Sequence, residues 1–403
     1  MNKLPNALRI GVVGMGRAFT LMLETFRQDP RVQLVAATDP LEAATSAFAK
    51  EFETPTYASA ELLCQNSNVE LVYIASPHQF HAEHVALAAR HGKHVLLEKP
   101  MAISLSECSA IVQAMQQADK SLIVGHSHSF DAPVLLARRL IDSGAIGRVQ
   151  MIHAMNFTDF LYRARRPEEL RTADGGGVVH SQAAHQMDIV RLLGGGLLRS
   201  LRAQTQAWDA SRATEGAYNA LLQFEGGYVA NICYSGYGHF DSDALMGWRG
   251  ELGTDKDPAN YGASRQKLAS LASTEQEIQA KAQRNYGGSA FAAPAKPVAH
   301  QHFGQVIVCG TQGDLRLMPD GVWVYGDAAQ HFEALPAPSV PRSEVVDEVW
   351  NALRLGHAPA HNGAWAMATT EACLALLESS HKQAEVQLLH QVAWNAPQIK
   401  REY

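Results

Sequence analysis

The chain has 403 residues, 46% hydrophobic and 18% charged, with Lys plus Arg at 34 against Asp plus Glu at 40. A net charge of −6 argues against a general nucleic-acid binder, and no uncharged apolar run reaches the ~18 residues of a membrane span. The length is too great for one small core, so two domains are expected. Lys3 and Arg9 lead directly into a strand pattern rather than a signal-peptide apolar region. Cys64, Cys108, Cys233, Cys309 and Cys373 are scattered, odd in number and form no C-x-x-C, so reduced thiols in a cytoplasmic protein are expected.

Leu8–Val13 reads as a buried strand running into Gly11-Val-Val-Gly14-Met-Gly16-Arg17, followed by a helical stretch that ends before Pro30. Gly11, Gly14 and Gly16, with Arg17 at the helix start, suit a tight turn and close approach to a diphosphate. Their spacing is G-x-x-G-x-G rather than the usual G-x-G-x-x-G. Val32–Thr38 is a β-rich run ending in Asp39. An acid about 20 residues past such glycines suits the adenosine ribose hydroxyls and would repel a 2′-phosphate. NAD is therefore the expected cofactor.

The alternation continues with a helix over Glu42–Phe52 and a strand over Val69–Ala75 ending in Ser76-Pro77-His78. A helix over Phe80–His91 is closed by Gly92, and a strand over His94–Leu97 ends in Glu98-Lys99-Pro100. Ser104 and Glu107 form a capping-box pattern, and Leu122–Gly125 is a further strand. Strands alternating with helices predict a doubly wound parallel sheet. Both polar turns then lie on its carboxyl edge, where ligands bind. Pro100 disfavours a helical Lys99, and a charge there is badly placed for core packing.

Gly11–Arg17, the Ser76-Pro77…His81 turn and Gly92–Met101 (GKHVLLEKPM) resemble the glucose–fructose oxidoreductase, inositol dehydrogenase and rhizopine-catabolism family, Gfo/Idh/MocA. The resemblance implies a Rossmann NAD-binding domain over 1–127, with Ser76, Pro77, His78, His81, Glu98 and Lys99 at the cofactor. It also implies a catalytic Lys99 near the substrate hydroxyl and a cis Lys99–Pro100 bond.

Beyond it, His126 and His128 alternate at strand spacing with no evident carboxylate or thiol partner, so no metal is expected. Relatives often carry Arg where Ser129 stands. A strand is expected over Arg148–Phe157. It is followed by Arg163, Arg165, Arg166 and Arg171, four arginines in nine residues of an acidic protein. Such a run is either a solvated loop or a set of guanidinium forks for an anionic substrate.

Gly175-Gly176-Gly177 then opens a helix carrying His180, Ser181, Gln182, His185 and Asp188. Ser181 and His185 are one turn apart, as are His185 and Asp188. The family resemblance implies that His185 acts on the reacting hydroxyl. Relatives often have Asp where Ser181 stands, so Asp188 or Gln182 is expected to orient the imidazole. His180, Ser181, Gln182 and Asp188 join Arg163, Arg165 and Arg166 as candidate substrate contacts.

Strands over Leu201–Trp208, Tyr218–Phe224 and Tyr228–Tyr234, the last two joined by a hairpin, predict an α+β domain with a large, mainly antiparallel open sheet over 128–403. An insertion near 250–300 has a helical middle at Lys267–Arg284 and reads as a mobile excursion or a subunit-facing arm. Phe303–Cys309 and Gly321–Tyr325 return to sheet, and Ser343–Leu355 and Trp365–Ser380 are closing helices. By analogy with relatives, a homodimer or homotetramer through the open sheet face is expected.

Within the family, Phe157–Gly195, Tyr234–Asp243 and Gly313–Gly326 resemble the enzymes that oxidise a cis-dihydrodiol of phthalate. That implies NAD-dependent conversion of 4,5-dihydro-4,5-dihydroxyphthalate to the dihydroxy aromatic in aromatic-compound degradation. A sugar or inositol dehydrogenase, an NAD-dependent glycosidase and a non-catalytic NAD sensor are the alternatives.

Overall fold

The computed structural model describes residues 3–395. Two sheets organise it, and the candidate site lies where their elements meet. The first sheet contains β1 (Leu8–Val13), β2 (Val32–Thr38), β3 (Leu71–Ile74), β4 (His94–Leu97) and β5 (Leu122–Val124). Its order is β2-β1-β3-β4-β5, and every pairing is parallel. The connecting helices are α1 (Arg17–Gln28), α2 (Glu42–Phe52), α3 (Ala60–Gln65), α4 (His81–Arg90) and α5 (Leu105–Gln117). Parallel strands covered on both faces read as near-continuous apolar runs, which is why β1, β2 and β4 were legible in full. The order reverses between β1 and β3, so their carboxyl ends open a crevice there.

Helix α6 (Ala132–Asp142) leads into the second sheet, whose first strand is β6 (Val149–Phe157). Then come α7 (Ala184–Leu193), β7 (Leu198–Gln206), β8 (Ala217–Phe224) and β9 (Val229–Ser235). After the insertion follow β10 (Gln305–Gly310), β11 (Gly313–Met318), β12 (Gly321–Gly326) and β13 (Gln330–Ala334), with the short β14 (Val386–Gln387) near the end. The nine strands run β13-β12-β11-β10-β6-β9-β8-β7-β14. Only β6–β9 is parallel, so the sheet is mixed and mainly antiparallel. Its core-facing residues pack against α7, which is buried from Ala184 through Leu193.

The insertion is neither a loose arm nor one helix. It holds α8 (Ala263–Ala269) and α9 (Thr274–Gln283), separated by a break in which Ser273 caps α9 through the Gln276 N–H. Arg265 pins the segment to the second domain by donating to Tyr237 O at 2.7 Å and Gly238 O at 2.8 Å. Tyr286 then enters the first core. Its ring meets Phe19 edge-on at 5.3 Å and its hydroxyl donates to Glu51 Oε2 at 2.7 Å. Gly287 sits so close to Ala43 that an added Cβ would lie 2.6 Å from its carbonyl oxygen. The segment is a strap joining the two halves.

The chain also returns to the first sheet after the second. Helix α10 (Ser343–Arg354) places Val345, Val346 and Val349 in the first core. The Val124 N–H donates to His361 O at 2.9 Å just before α11 (Gly363–Lys382), which Asn362 caps. No helix among the described residues is long and apolar enough to cross a membrane.

Candidate active site

The cofactor side begins at the β1–α1 turn. Gly14 has φ +90, and an added Cβ would lie 2.8 Å from the Ala75 and Ser76 backbone, so only glycine lets the two strand ends meet. Gly16 is the N-cap of α1 and offers no side chain to it, and the first turn carries no acid. The first N–H groups of the helix are left facing the crevice, the arrangement that binds a phosphate. A cleft of about 1110 Å³ runs from this turn past Asp39, Ser76, Pro77 and His78. Asp39 accepts the Met15 N–H at 2.6 Å and the Leu41 N–H at 2.8 Å. Those bonds hold its carboxylate at the end of β2, where a ribose diol can reach it. The glycine cradle, the uncapped helix and the fixed acid fit NAD.

Three of the expected cofactor contacts have other roles. Gly11 lies inside β1, where a Cβ would come 2.8 Å from Leu63 and 3.0 Å from Val69, so it serves helix–sheet packing. His81 is fully buried, with Nδ1 3.0 Å from Pro100 O and Nε2 3.0 Å from Ser76 O. It ties the two polar turns together from behind. Glu98 is buried and accepts the Tyr73 hydroxyl at 2.6 Å. Burial raises its pKa against that bond, and its carboxylate faces the core. Ser76 and His78 do line the cleft, the first bonded to His84 at 2.9 Å and the second 3.4 Å from Gly175 O.

Lys99 crosses from the first half to the second. The Lys99–Pro100 peptide is cis, as expected, and Gly125–His126 is cis too. Lys99 Nζ donates to Ser181 O at 2.8 Å. That carbonyl belongs to a π-helical turn over Val179–Ala183, which feeds into α7. Such turns leave carbonyls off the regular ladder and are frequent at functional sites. The glycines before it have a steric reason: Glu215 accepts the Val179 N–H at 3.1 Å, and a Cβ on Gly177 would collide with its carboxylate. A carboxylate from the loop before β8 thus caps the helix that carries His185.

His185 therefore lies one turn past the carbonyl that holds Lys99. Its ring is 6% exposed, forms no hydrogen bond to the described residues, and packs against Phe303 at 5.1 Å and His128 at 4.6 Å. Burial first, then the charges of Lys99, His128, His126 and Arg342, hold its pKa well below the usual histidine value. The imidazole is a neutral base with a free lone pair. Burial also lowers Lys99, helped by Arg342 and Arg165 and opposed by Glu98 and Glu251.

Neither expected partner orients this imidazole. Asp188 points away into the core, where it accepts Trp365 Nε1–H at 2.6 Å, Thr369 Oγ1–H at 2.9 Å and the Ser129 hydroxyl. Gln182 accepts the Tyr234 hydroxyl at 3.3 Å and donates to Ser181 O at 3.1 Å. The Ser181 hydroxyl turns back to Gly177 O, and His180 is buried beside the Thr172 backbone.

The neighbour that matters is His128, which the histidine pattern flagged without its partner. Asp131 takes His128 Nδ1 at 2.6 Å and His126 Nε2 at 3.0 Å, while His128 Nε2 lies 3.4 Å from Glu251. Burial opposes its charge, but Asp131 and Glu251 raise the His128 pKa above the usual value. The expectation that no carboxylate stands near these histidines is corrected: Asp131 follows His128 by three residues. His126, His128 and Asp131 bring ligand atoms within 4.8 Å of one another. The two carboxylate oxygens each take one histidine, which accounts for the trio as a hydrogen-bonded unit.

The arginine cluster divides. Arg171 is 63% exposed and pairs with Asp174 at 2.5 Å, a solvated loop contact. Arg166 pairs with Glu168 at 3.0 Å on the cofactor cleft. Arg165 stacks on Phe160 at 3.6 Å and donates to Phe160 O at 2.8 Å. Arg163, paired loosely with Asp159 at 3.3 Å, lines a cavity of about 220 Å³ with Glu251, Lys256 and His302. Arg342, 8% exposed at the start of α10, adds a guanidinium whose field reaches Lys99 and His185. No local motif around Glu251 or Arg342 marked either one.

Comparison with known proteins agrees with this geometry. Residues 8–126 match the model of an oxidoreductase family with an NAD-binding Rossmann fold, and residues 134–254 match the Gfo/Idh/MocA C-terminal domain. The chain is 46% identical over 374 residues to 1-carboxy-3-chloro-3,4-dihydroxycyclohexa-1,5-diene dehydrogenase of Comamonas testosteroni, covering 92% of this chain and 94% of that one. A solved putative dehydrogenase from Bordetella bronchiseptica RB50 superposes with TM-score 0.89 at 38% identity, covering 94% of this chain and 100% of that one. Levoglucosan dehydrogenase with NADH and levoglucosan shares the fold, with TM-score 0.73 at 16% identity over 95% and 99% of the two chains. The chain belongs to the Gfo/Idh/MocA oxidoreductase family and is an NAD-dependent dehydrogenase.

Proposed function

We propose that this dehydrogenase oxidises a carboxylated cis-dihydrodiol of an aromatic ring, with 4,5-dihydro-4,5-dihydroxyphthalate as the first substrate to try. One observation carries the reading. The Lys99 ammonium and the neutral His185 imidazole meet in one turn of backbone, where the positive fields of Arg342 and Arg165 act beside the Glu98 and Glu251 carboxylates. An anionic substrate gains from those positive fields, whereas a neutral polyol does not. The Comamonas relative supports the class, since its name describes a carboxylated dihydroxycyclohexadiene. That molecule bears one carboxylate where the phthalate diol bears two, so the shared chemistry is the carboxylated diol.

NAD supplies the hydride acceptor when bound. His185 takes the proton of the reacting hydroxyl through its free lone pair, and Lys99 stabilises the oxygen as charge develops on it. The diol loses one hydride and one proton. The resulting hydroxyketone tautomerises to the aromatic diol, and aromaticity draws the oxidation forward.

The test is NADH formation across a panel of one- and two-carboxylate cis-dihydrodiols, an uncharged cis-dihydrodiol, inositol and an aryl glycoside. Turnover of the carboxylated diols well above the rest is expected. Turnover of inositol with none of the diols sinks the proposal. The arginines should separate in the same assay. Arg163→Ala should raise KM for carboxylated diols about tenfold or more, the loss of one charge-assisted hydrogen bond. Arg166→Ala, already neutralised by its own acids, should raise it far less. Equal effects would show that neither is a specific anchor.

A further inference from the structure

The cavity of about 220 Å³ beside Arg163 shares no lining residue with the cofactor cleft. It adjoins the His185 imidazole through two ring neighbours. Glu251, on its wall, lies 3.4 Å from His128 Nε2, and the His128 ring packs on His185 at 4.6 Å. His302 and Gly304 also line it, and Phe303 between them packs on His185 at 5.1 Å. An apolar cavity of roughly 150 Å³ takes a benzene ring. This one has room for a six-membered ring with polar substituents.

Of the titratable side chains on its wall, most are already engaged. Lys256 Nζ donates to Asp243 at 2.7 Å and to Asp241, and Asp255 pairs with Arg249. His302 donates through Nε2 to Arg249 O at 2.9 Å and accepts the Gly304 N–H on Nδ1 at 3.1 Å. Arg163 and Glu251 differ. Arg163 uses only Nε, in its 3.3 Å contact with Asp159, and its two terminal nitrogens reach no acceptor among the described residues. Glu251 uses one carboxylate oxygen, at the long distance from His128, and its other oxygen meets no donor among the described residues. Asp131 already takes the His128 ring at 2.6 Å, so Glu251 is not needed as its counter-charge. The two side chains, 38% and 31% exposed, line one space, yet no ion pair joins them. A guanidinium fork and a carboxylate oxygen held apart across a cavity suit a molecule with an anion at one end and a hydrogen-bond donor at the other.

We propose that Glu251 accepts a hydrogen bond from the hydroxyl that is not oxidised, while Arg163 holds the substrate carboxylate, so that the ring spans this cavity with its reacting hydroxyl toward His185. The proposal rests on the reading of the enzyme as a carboxylated-diol dehydrogenase, and it makes Glu251 the residue that selects a diol. A site built to bond a hydroxyl rejects an analogue that lacks it. An ammonium would also suit a carboxylate, but a second cation beside Lys99 is repelled, and a neutral hydroxyl is not.

The experiment is calorimetric titration of the full-length protein, saturated with NADH, with stable aromatic probes. These are 3,4-dihydroxybenzoate and 4,5-dihydroxyphthalate, their hydroxyl-free counterparts benzoate and phthalate, and the zwitterion 4-(aminomethyl)benzoate. The parent should bind each dihydroxy probe more tightly than its counterpart. Glu251→Gln, which keeps the shape and removes the charge, should raise Kd for the dihydroxy probes about tenfold and leave benzoate and phthalate within about twofold. Arg163→Ala should weaken all four carboxylates alike, and Arg163→Lys should recover part of that loss. An equal loss for probes with and without hydroxyls in Glu251→Gln overturns the proposal, because Glu251 then acts through His128 or the fold. So does an unchanged Kd for the dihydroxy probes, a failure of the parent to bind either of them, or tighter binding of the zwitterion. The wider reading fails separately: if the parent turns over inositol and no carboxylated diol while the hydroxyl preference still depends on Glu251, the substrate assignment falls and the pairing stands.

Discussion

Lys99→Ala should lower kcat by about 10²–10⁴-fold, or about 3–5 kcal/mol of transition-state stabilisation, while Kd for NAD stays within about threefold. The expectation follows from where the ammonium is fixed. It donates to a backbone carbonyl one turn before His185, so its removal takes the cation away from the reacting oxygen without touching the Gly14–Gly16 cradle.

The same variant makes a second, independent prediction about pH. A base must be unprotonated to act. In the parent enzyme His185 is held well below its usual pKa, first by burial and then by Lys99. kcat/KM should therefore stay level as pH falls through 6.5 and decline only well below it. Without Lys99 one depressing charge is gone, so the acid limb of the residual activity should move to higher pH. Normal turnover refutes the catalytic role of Lys99. An unmoved acid limb separates Lys99 from the proton step and leaves it a binding role only.

The largest stability effect is expected at Asp188, three residues past His185. Asp188→Ala should destabilise the second half by about 3–5 kcal/mol in urea denaturation, followed by near-UV signal and by activity. The carboxylate is 4% exposed and accepts from Trp365, Thr369 and Ser129. Ser129 also lies 3.0 Å from His361 Nε2, and His361 meets Glu348 at 2.8 Å.

The fully buried Arg191 stacks on Trp365 at 4.0 Å and donates to Thr369 at 2.6 Å. Removing Asp188 strands several donors and takes the nearest negative charge from a buried guanidinium. Asp188→Asn keeps the volume and one acceptor, so it should lose less. Its kcat in the folded state should stay within a few-fold of the parent, because Asp188 does not touch the imidazole. A selective loss of kcat in Asp188→Asn with stability intact would restore the reading in which Asp188 orients His185.

That reading arose because helical spacing places residues on a face but does not say which way the helix is turned toward its neighbours. Ser181, His185 and Asp188 share a stripe by periodicity. The π turn over Val179–Ala183 and the burial of α7 on every side give them separate surroundings. The strap shows the same limit. Its Ala-, Gln- and Ser-rich composition suggested a mobile excursion or a subunit-facing arm, whereas Tyr286 and Gly287 anchor it in a core more than two hundred residues earlier in the chain.

By itself the sequence determined the first sheet almost strand by strand. It also determined the glycine turn, Asp39, the Lys99–Pro100 edge, the family, and hence dehydrogenase chemistry with NAD. Those features are written in local runs: buried parallel strands are continuous apolar stretches, and phosphate turns need glycine at fixed places. The tertiary structure alone decided what surrounds His185, with the His128 pKa raised by Asp131 and Glu251 and with Arg342 arriving at the start of α10. It also decided that Asp188 belongs to the core and that Asn285 lines the cofactor cleft. Charge and burial at a site are sums over residues brought together from distant segments, and no local pattern records that sum.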